Sequence, residues 1–93
     1  MAKLQVAVFA SGNGSNFQAL VDAEREGRLG AEIRLLVCNR PEAPVVKRAE
    51  AAGIPAFVFR PKDYPSREAY EKEILAELTR LDIGLIVLAG FMR

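Results

Sequence analysis

Four short apolar runs alternate with three stretches of helical periodicity, and this alternation constrains the fold more than any other feature of the sequence. The runs cover residues 4–10, 33–37, 56–59 and 83–89. They are rich in Val, Ile and Leu and lack strict alternation of polar and apolar residues, which is typical of strands buried on both faces of a parallel sheet. The pattern predicts the element order β-α-β-α-β-α-β.

The intervals between the runs predict three helices. The first begins at Ser15 and ends near Gly27, and the second covers Pro44–Ala52, with Gly53 placed for a left-handed cap. The third covers residues 66–81. Its apolar stripe consists of Tyr70, Ile74, Leu78 and Leu81, and Ser66 supplies N-cap chemistry. We therefore expect one Rossmann-like, doubly wound α/β domain over residues 1–93, with right-handed crossovers and strand order 3-2-1-4.

The charge balance and the residue types present exclude several functional classes. With 13 basic and 12 acidic residues the net charge is +1, so the excess of Lys and Arg that marks a nucleic-acid interface is missing. One cysteine, Cys38, and no histidine exclude an internal disulfide, a cysteine-rich zinc site and a Ser-His or Cys-His pair within these residues. The longest uncharged apolar stretch is residues 83–92, about half of the ~20 residues that span a bilayer. We expect no metal, no nucleic-acid partner, no membrane span and, without a signal peptide, a cytoplasmic location.

The segment Ser-Gly-Asn-Gly-Ser-Asn at residues 11–16 follows the first run, at the place where such folds bind ligands. In open parallel sheets this place lies beyond the carboxyl ends of the strands where the strand order reverses, here between the first and fourth strands. The dinucleotide fingerprint is excluded because Phe17 replaces its third glycine and because Asn39 and Arg40 stand where it requires an acid. The Walker loop is excluded because residues 17–19 are Phe-Gln-Ala and not Gly-Lys-Ser/Thr.

Two interpretations of the loop remain. Gly12 and Gly14 allow a tight turn, and the backbone N–H groups of Gly14, Ser15 and Asn16 open a helix, where they attract a single phosphate through hydrogen bonding and the helix dipole. Alternatively, Asn13 or Ser15 simply caps the helix, because Gly-Asn-Gly-Ser is also ordinary turn chemistry. The residue pattern by itself leaves both open.

The segments VFASGNGSNFQAL, CNRPEA, SREAYEKEIL and IVLAGFMR, in this order and spacing, closely resemble the phosphoribosylglycinamide formyltransferase family. The resemblance runs over essentially the whole chain, and SGNGSN together with LAGFMR makes it specific. The methionyl-tRNA formyltransferases and formyltetrahydrofolate hydrolases share the fold, but their loops after the first strand differ. The resemblance implies transfer of a formyl group from 10-formyltetrahydrofolate to the amino group of glycinamide ribonucleotide, in purine biosynthesis.

The resemblance also assigns expected site residues. Gly14, Ser15 and Asn16 match the segment that holds the phosphate of the ribonucleotide, in agreement with the anion interpretation. Arg67 matches an arginine of the folate site, and an arginine suits the folate carboxylates because it pairs with them in a bidentate manner. Residues 92–93, which are Met92 and Arg93, match the start of the folate-binding segment.

The main departure from the family is length. Family members are about twice as long, and their catalytic Asn, His and Asp follow the segment that corresponds to AGFMR. The resemblance thus implies an N-terminal half-domain with no catalytic residue of its own, inactive alone. The last run is the most apolar, so we expect a deeply buried strand that other strands cover, either in a homodimer or through pairing with the missing C-terminal half.

Two alternative functions remain, and several other residues are given a structural interpretation. A non-catalytic module that binds a phosphorylated ligand, or another folate-dependent formyltransferase or hydrolase of the same fold, stays open. Cys38 is interpreted as an inert thiol, since no histidine activates it. Phe57 and Phe59 are expected in the core. The acidic residues Asp22, Glu24 and Glu26 are expected to form a solvated face.

Overall fold

The fold is a four-stranded parallel sheet with helices on both faces, and the computed structural model describes it over residues 4–89. The strands are β1 (Leu4–Phe9), β2 (Ala31–Cys38), β3 (Ala56–Val58) and β4 (Leu85–Leu88). All neighbouring strands pair in parallel, in the order β3-β2-β1-β4. The predicted fold class and strand order are therefore confirmed.

The three predicted helices are present as α1 (Ser15–Arg25), α2 (Pro44–Ala52) and α3 (Arg67–Arg80). Gly53 ends α2 with a φ of 72°, a left-handed conformation that glycine adopts without steric cost. The Ser66 hydroxyl caps α3 by accepting a 3.3 Å hydrogen bond from the backbone N–H of Ala69. A single 3₁₀ turn at Pro61–Asp63, which the sequence analysis did not predict, joins β3 to α3.

Alternate residues of the strands build two apolar layers. One layer lies under α1 and α2 and includes Val6, Val8 and the fully buried ring of Phe17. The other lies under α3 and includes Ala7 and Phe59, with a cluster of aromatic rings around it. The rings of Phe59 and Tyr70 are 4.9 Å apart, and Phe57, Phe59, Tyr64 and Tyr70 form successive ring pairs. The expectation that Phe57 and Phe59 belong to the core is confirmed, since Phe59 is buried in it and Phe57 packs against it. The predicted apolar stripe of α3 also packs on this layer.

Glu24 joins α1 to the sheet and is not part of a purely solvated face. Its Oε2 accepts a 3.1 Å hydrogen bond from the backbone N–H of Ile33 in β2. The pairing of β1 with β2 shifts by one residue just beyond this point, at Arg34. The expectation for Glu24 was wrong because a carboxylate on a helix can also satisfy a backbone donor of a neighbouring strand.

The expected burial of β4 depends on strands of a partner chain or of the C-terminal half, and within residues 4–89 β4 is exposed. Leu85 and Ile86 are each 45% exposed and Leu88 is 71% exposed, and Leu75 of α3 beside them is 63% exposed. Within residues 4–89, β4 pairs with β1 on one edge and with no strand on the other. An apolar sequence predicts a strand, but the burial of that strand depends on what packs against it.

Candidate functional site

The loop at residues 11–16 leaves β1 at the carboxyl edge of the sheet, between the ends of β2 and β4. The backbone N–H of Ala10 donates to the carbonyl of Val37 at 3.0 Å, and the N–H of Ala89 donates to the carbonyl of Phe9 at 2.8 Å. The loop therefore starts at the point where the strand order reverses, where open α/β sheets bind their ligands.

Gly14 is the residue on which the shape of the loop depends. It precedes α1 with φ 83° and ψ 21°, and a Cβ built on it would lie 2.6 Å from Cγ2 of Val45 and 2.9 Å from Cδ of Arg48. Both the backbone conformation and the close approach of α2 require glycine here. Gly12 has no atom within 4 Å of such a Cβ and does not have a positive φ, so neither a close contact nor a left-handed backbone requires glycine at position 12.

The structure brings Gly14, Ser15 and Asn16 together at the first turn of α1. Oδ1 of Asn13 accepts a 2.9 Å hydrogen bond from the backbone N–H of Ser15, so Asn13 satisfies the first N–H of α1, although the N-cap residue itself is Gly14 and has no side-chain cap. Within residues 4–89, no acceptor bonds the backbone N–H of Asn16. Ser15 and Asn16 are exposed, so an anion at the mouth of α1 can meet the Asn16 N–H, the Ser15 hydroxyl and the dipole of an 11-residue helix.

Arg48 of α2 contacts the loop, a contact that no pattern in the sequence predicted. Its Nε donates to the carbonyl oxygen of Asn13 at 2.6 Å, and Nη1 donates to Oε1 of Gln18 at 3.5 Å. Three positions earlier, the N–H of Val45 donates to the carbonyl of Gly12 at 3.2 Å. Arg48 and Asn13 are 35 positions apart, and no local pattern joins residues that only the crossover brings together.

A buried polar pair lies behind the loop. Ser11, which is 4% exposed, donates from its Oγ to Oδ1 of Asn39 at 2.7 Å and so ties the loop after β1 to the loop after β2. Two polar residues that follow neighbouring strands are the signal that could have predicted this pair, because parallel strands bring their carboxyl ends to one edge.

Cys38, adjacent to Asn39, is fully buried and donates from its Sγ to the carbonyl of Arg40 at 3.2 Å. Burial raises the pKa of the Cys38 thiol, as expected for an inert cysteine.

Arg67 lies on the other face of the sheet from Ser15, in the first turn of α3. It is exposed and forms an ion pair with Oε2 of Glu71 at 3.5 Å. Glu71 lines an open apolar groove of about 610 Å³ between α3 and the ends of β1 and β4, whose other walls are Phe9, Tyr70, Ile74, Leu75, Leu78 and Leu88. Phe9 and Leu88 are partners in the register of β1 and β4, so the groove opens at the same edge as the loop.

The remaining predicted folate residues, Met92 and Arg93, lie outside the described residues. Over residues 4–89, no group of His, Cys, Asp and Glu side chains is arranged to hold a metal ion. In the same part of the chain, no helix combines the length and the apolar character needed to cross a membrane.

Comparison with known proteins points to one family. The family described as formyl transferase matches residues 4–93. Phosphoribosylglycinamide formyltransferase from Bacillus subtilis (strain 168) is 51% identical over 87 residues, which are 94% of this chain and 45% of that protein. The trifunctional purine biosynthetic protein adenosine-3 of Drosophila melanogaster is 46% identical over 91 residues, which are 96% of this chain and 7% of that protein.

A solved structure agrees with these relatives. The crystal structure of glycinamide ribonucleotide transformylase 1 from Geobacillus kaustophilus superimposes with a TM-score of 0.96 at 57% identity and covers 98% of this chain and 48% of that one. The chain therefore spans about half the length of the bacterial relatives it matches.

Proposed function

The chain belongs to the formyl transferase family, and we propose that it forms the phosphate-loop half, over residues 1–93, of a phosphoribosylglycinamide formyltransferase. In this proposal the complete domain transfers a formyl group from 10-formyltetrahydrofolate to the amino group of glycinamide ribonucleotide. The observation that carries the proposal is the position of the loop at residues 11–16, which opens α1 at the point where the strand order reverses. The cytoplasmic location expected from the sequence stays a prediction.

The ribonucleotide phosphate is proposed to bind at Gly14, Ser15 and Asn16. The supporting geometry is the exposure of Ser15 and Asn16 in the first turn of α1, next to the buried Gly14, and each favourable interaction of an anion with a helix end contributes about 0.3–2 kcal/mol. Because Asn13 already accepts the Ser15 N–H, Ser15 contributes its hydroxyl, while Gly14 and Asn16 contribute backbone N–H groups. One phosphate fits this small set of donors.

The folate is proposed to bind across the groove next to Arg67, with Met92 and Arg93 as further contacts outside the described residues. The groove offers apolar walls to the flat part of the cofactor, and Arg67 offers a guanidinium to its carboxylates. Arg67 is paired with Glu71 at an exposed site, where an ion pair contributes about 0–1 kcal/mol. A carboxylate of the cofactor can therefore replace Glu71 at low cost.

We propose that the chemical step requires groups beyond those of this chain. The sequence contains no histidine, and the resemblance assigns the catalytic Asn, His and Asp to a later segment of the family. We propose that this segment pairs with the open edge of β4 and covers the exposed side chains of Leu75 and Leu88. A homodimer through the same edge is the alternative.

Calorimetric titration of the 93-residue chain tests the proposed function. We expect glycinamide ribonucleotide to bind, ribose 5-phosphate to bind more weakly and glycinamide without a phosphate not to bind. Binding of ribose 5-phosphate as tightly as the ribonucleotide would favour a general phosphate-binding module. A folded chain that does not bind glycinamide ribonucleotide would contradict the proposal.

A formyl-transfer assay tests the division of the domain. We expect no turnover from the chain alone and recovery of turnover when the C-terminal half of a bacterial relative is added. Near-normal turnover by the chain alone would overturn the assignment of the catalytic groups to another segment.

A further inference from the structure

We propose that Arg48 is a positioning residue of the phosphate site. From its place on α2, it fixes the direction in which the hydrogen-bond donors of the loop point toward the ligand. The inference rests on the proposed function, because it concerns the same loop. Arg48 lies on α2, outside the loop and outside the residues to which the resemblance assigns a role.

Arg48 fixes the orientation of one peptide group in the loop. Nε of Arg48 donates to the carbonyl oxygen of Asn13 at 2.6 Å. The peptide bond between Asn13 and Gly14 is trans and planar, so the N–H of Gly14 points in the direction opposite to that carbonyl. By holding the carbonyl toward α2, Arg48 turns the Gly14 N–H away from α2 and fixes the direction of one proposed phosphate donor.

Helix α2 also holds the preceding peptide group of the loop, that of Gly12, by its carbonyl. The N–H of Val45 donates to the carbonyl of Gly12 at 3.2 Å, so two successive loop carbonyls face α2. The side-chain stems of Val45 and Arg48 also press on Gly14, at 2.6 and 2.9 Å from the position of a Cβ. The loop therefore has little freedom to turn its donors elsewhere.

Arg48 also contributes a positive charge near the loop. The guanidinium of Arg48 bonds two neutral oxygens, the carbonyl of Asn13 and Oε1 of Gln18. Over residues 4–89, the ion pairs of arginine are those of Arg28, Arg34, Arg67 and Arg80, and no carboxylate pairs with Arg48. Its positive charge is thus available to the field at the mouth of α1, where it adds to the helix dipole.

The test compares three variants of the 93-residue chain. Arg48→Met keeps the length of the stem against Gly14 but removes the hydrogen bonds and the charge, and Arg48→Lys keeps the charge but loses the forked donor geometry. Arg80→Met is the control with the same change in net charge, because Arg80 ends α3 on the opposite edge of the sheet. Inorganic phosphate and ribose 5-phosphate are the probes, titrated calorimetrically at a temperature at which each variant is folded.

We expect Arg48→Met to weaken binding of both probes roughly tenfold, the loss that corresponds to one charge-assisted hydrogen bond. Arg48→Lys should recover only part of this loss, and Arg80→Met should bind like the unaltered chain. A merely structural role would lower Tm and leave the affinity of the folded variant unchanged.

The two proposals fail in different ways. If the unaltered chain binds phosphate and Arg48→Met binds it within twofold, the inference about Arg48 is wrong and the proposed function stands. If the folded, unaltered chain binds neither probe, the proposed phosphate site fails and this inference fails with it. If Arg48→Met does not fold, the affinity of folded Arg48→Lys decides: a partial loss of phosphate affinity supports the inference, and full affinity overturns it.

Discussion

The Ser11 hydroxyl donates a 2.7 Å hydrogen bond to Oδ1 of Asn39, and this bond joins the two loops that leave β1 and β2 at the carboxyl edge. Ser11 is almost fully buried, whereas Asn39 is partly buried. The pair therefore stabilises the base of the loop at residues 11–16.

We expect Asn39→Ala to lower the free energy of unfolding by about 1–3 kcal/mol, because it removes an acceptor of a buried hydroxyl. Ser11→Ala should cost less, about 1 kcal/mol, because Asn39 keeps access to water. Urea unfolding measures both. Equal costs, or a larger cost for Ser11→Ala, would show that the desolvation of Ser11 does not control this pair.

Much of the architecture around this pair could be predicted from the sequence, because local patterns control it. The alternation of apolar runs and helices predicted the element order, the general topology of doubly wound folds then predicted the strand order, and Gly53 and Ser66 predicted the ends of two helices. The contacts of Arg48 with Asn13 and of Glu24 with Ile33 could not be predicted in this way. They join residues that only the packed fold brings together, and nothing in a single sequence distinguishes such an Arg or Glu from a solvated one.

The two glycines of the loop should respond differently to the same substitution. We expect Gly14→Ala to lower the free energy of unfolding by about 2–4 kcal/mol, since it combines a left-handed backbone with overlap against Val45. Gly12→Ala should change it by less than about 0.5 kcal/mol, because the added methyl group meets no atom within 4 Å. Thermal unfolding of the two variants is the measurement. Similar losses would mean that the closeness of α2 is not what selects glycine at position 14.

Cys38 should make stability depend on pH in the alkaline range. Burial raises its pKa in the folded chain above the value of about 8.5 that a free thiol has. The unfolded chain therefore loses the thiol proton first, so stability falls as the pH rises above about 8.5, by at most about 1.4 kcal/mol per pH unit, until the folded pKa is passed. Cys38→Ala should lose this part of the slope in urea titrations between about pH 7 and 10. An identical slope in both proteins would contradict the burial argument.

Arg67 and Glu71 should have opposite effects on folate affinity. Arg67→Met should weaken binding of tetrahydrofolate roughly tenfold, because the variant loses the partner of the glutamate carboxylates. Glu71→Gln should leave binding unchanged or strengthen it, because it removes the carboxylate that occupies Arg67 at 3.5 Å. Fluorescence titration measures both, with a pterin that lacks the glutamate as the control ligand. Equal weakening of both ligands by Arg67→Met would indicate a general disturbance of the groove and contradict the proposed pairing.

Ser15→Asp should separate the stability of the loop from its proposed function. A carboxylate in the first turn of α1 interacts favourably with the helix dipole, so the free energy of unfolding should stay the same or rise by about 0.3–1 kcal/mol. The same carboxylate repels an anion at the mouth of the helix, and binding of inorganic phosphate and of glycinamide ribonucleotide should fall at least tenfold, or about 1.4 kcal/mol. Ser66→Asp is the matched control, since it also places an acid at a helix start, at the N-cap of α3, and should leave phosphate binding unchanged. Calorimetry and urea unfolding on the same samples give the two readouts. Unaltered phosphate affinity in folded Ser15→Asp would remove Ser15 from the phosphate site and leave the loop as a turn in which Asn13 accepts the Ser15 N–H.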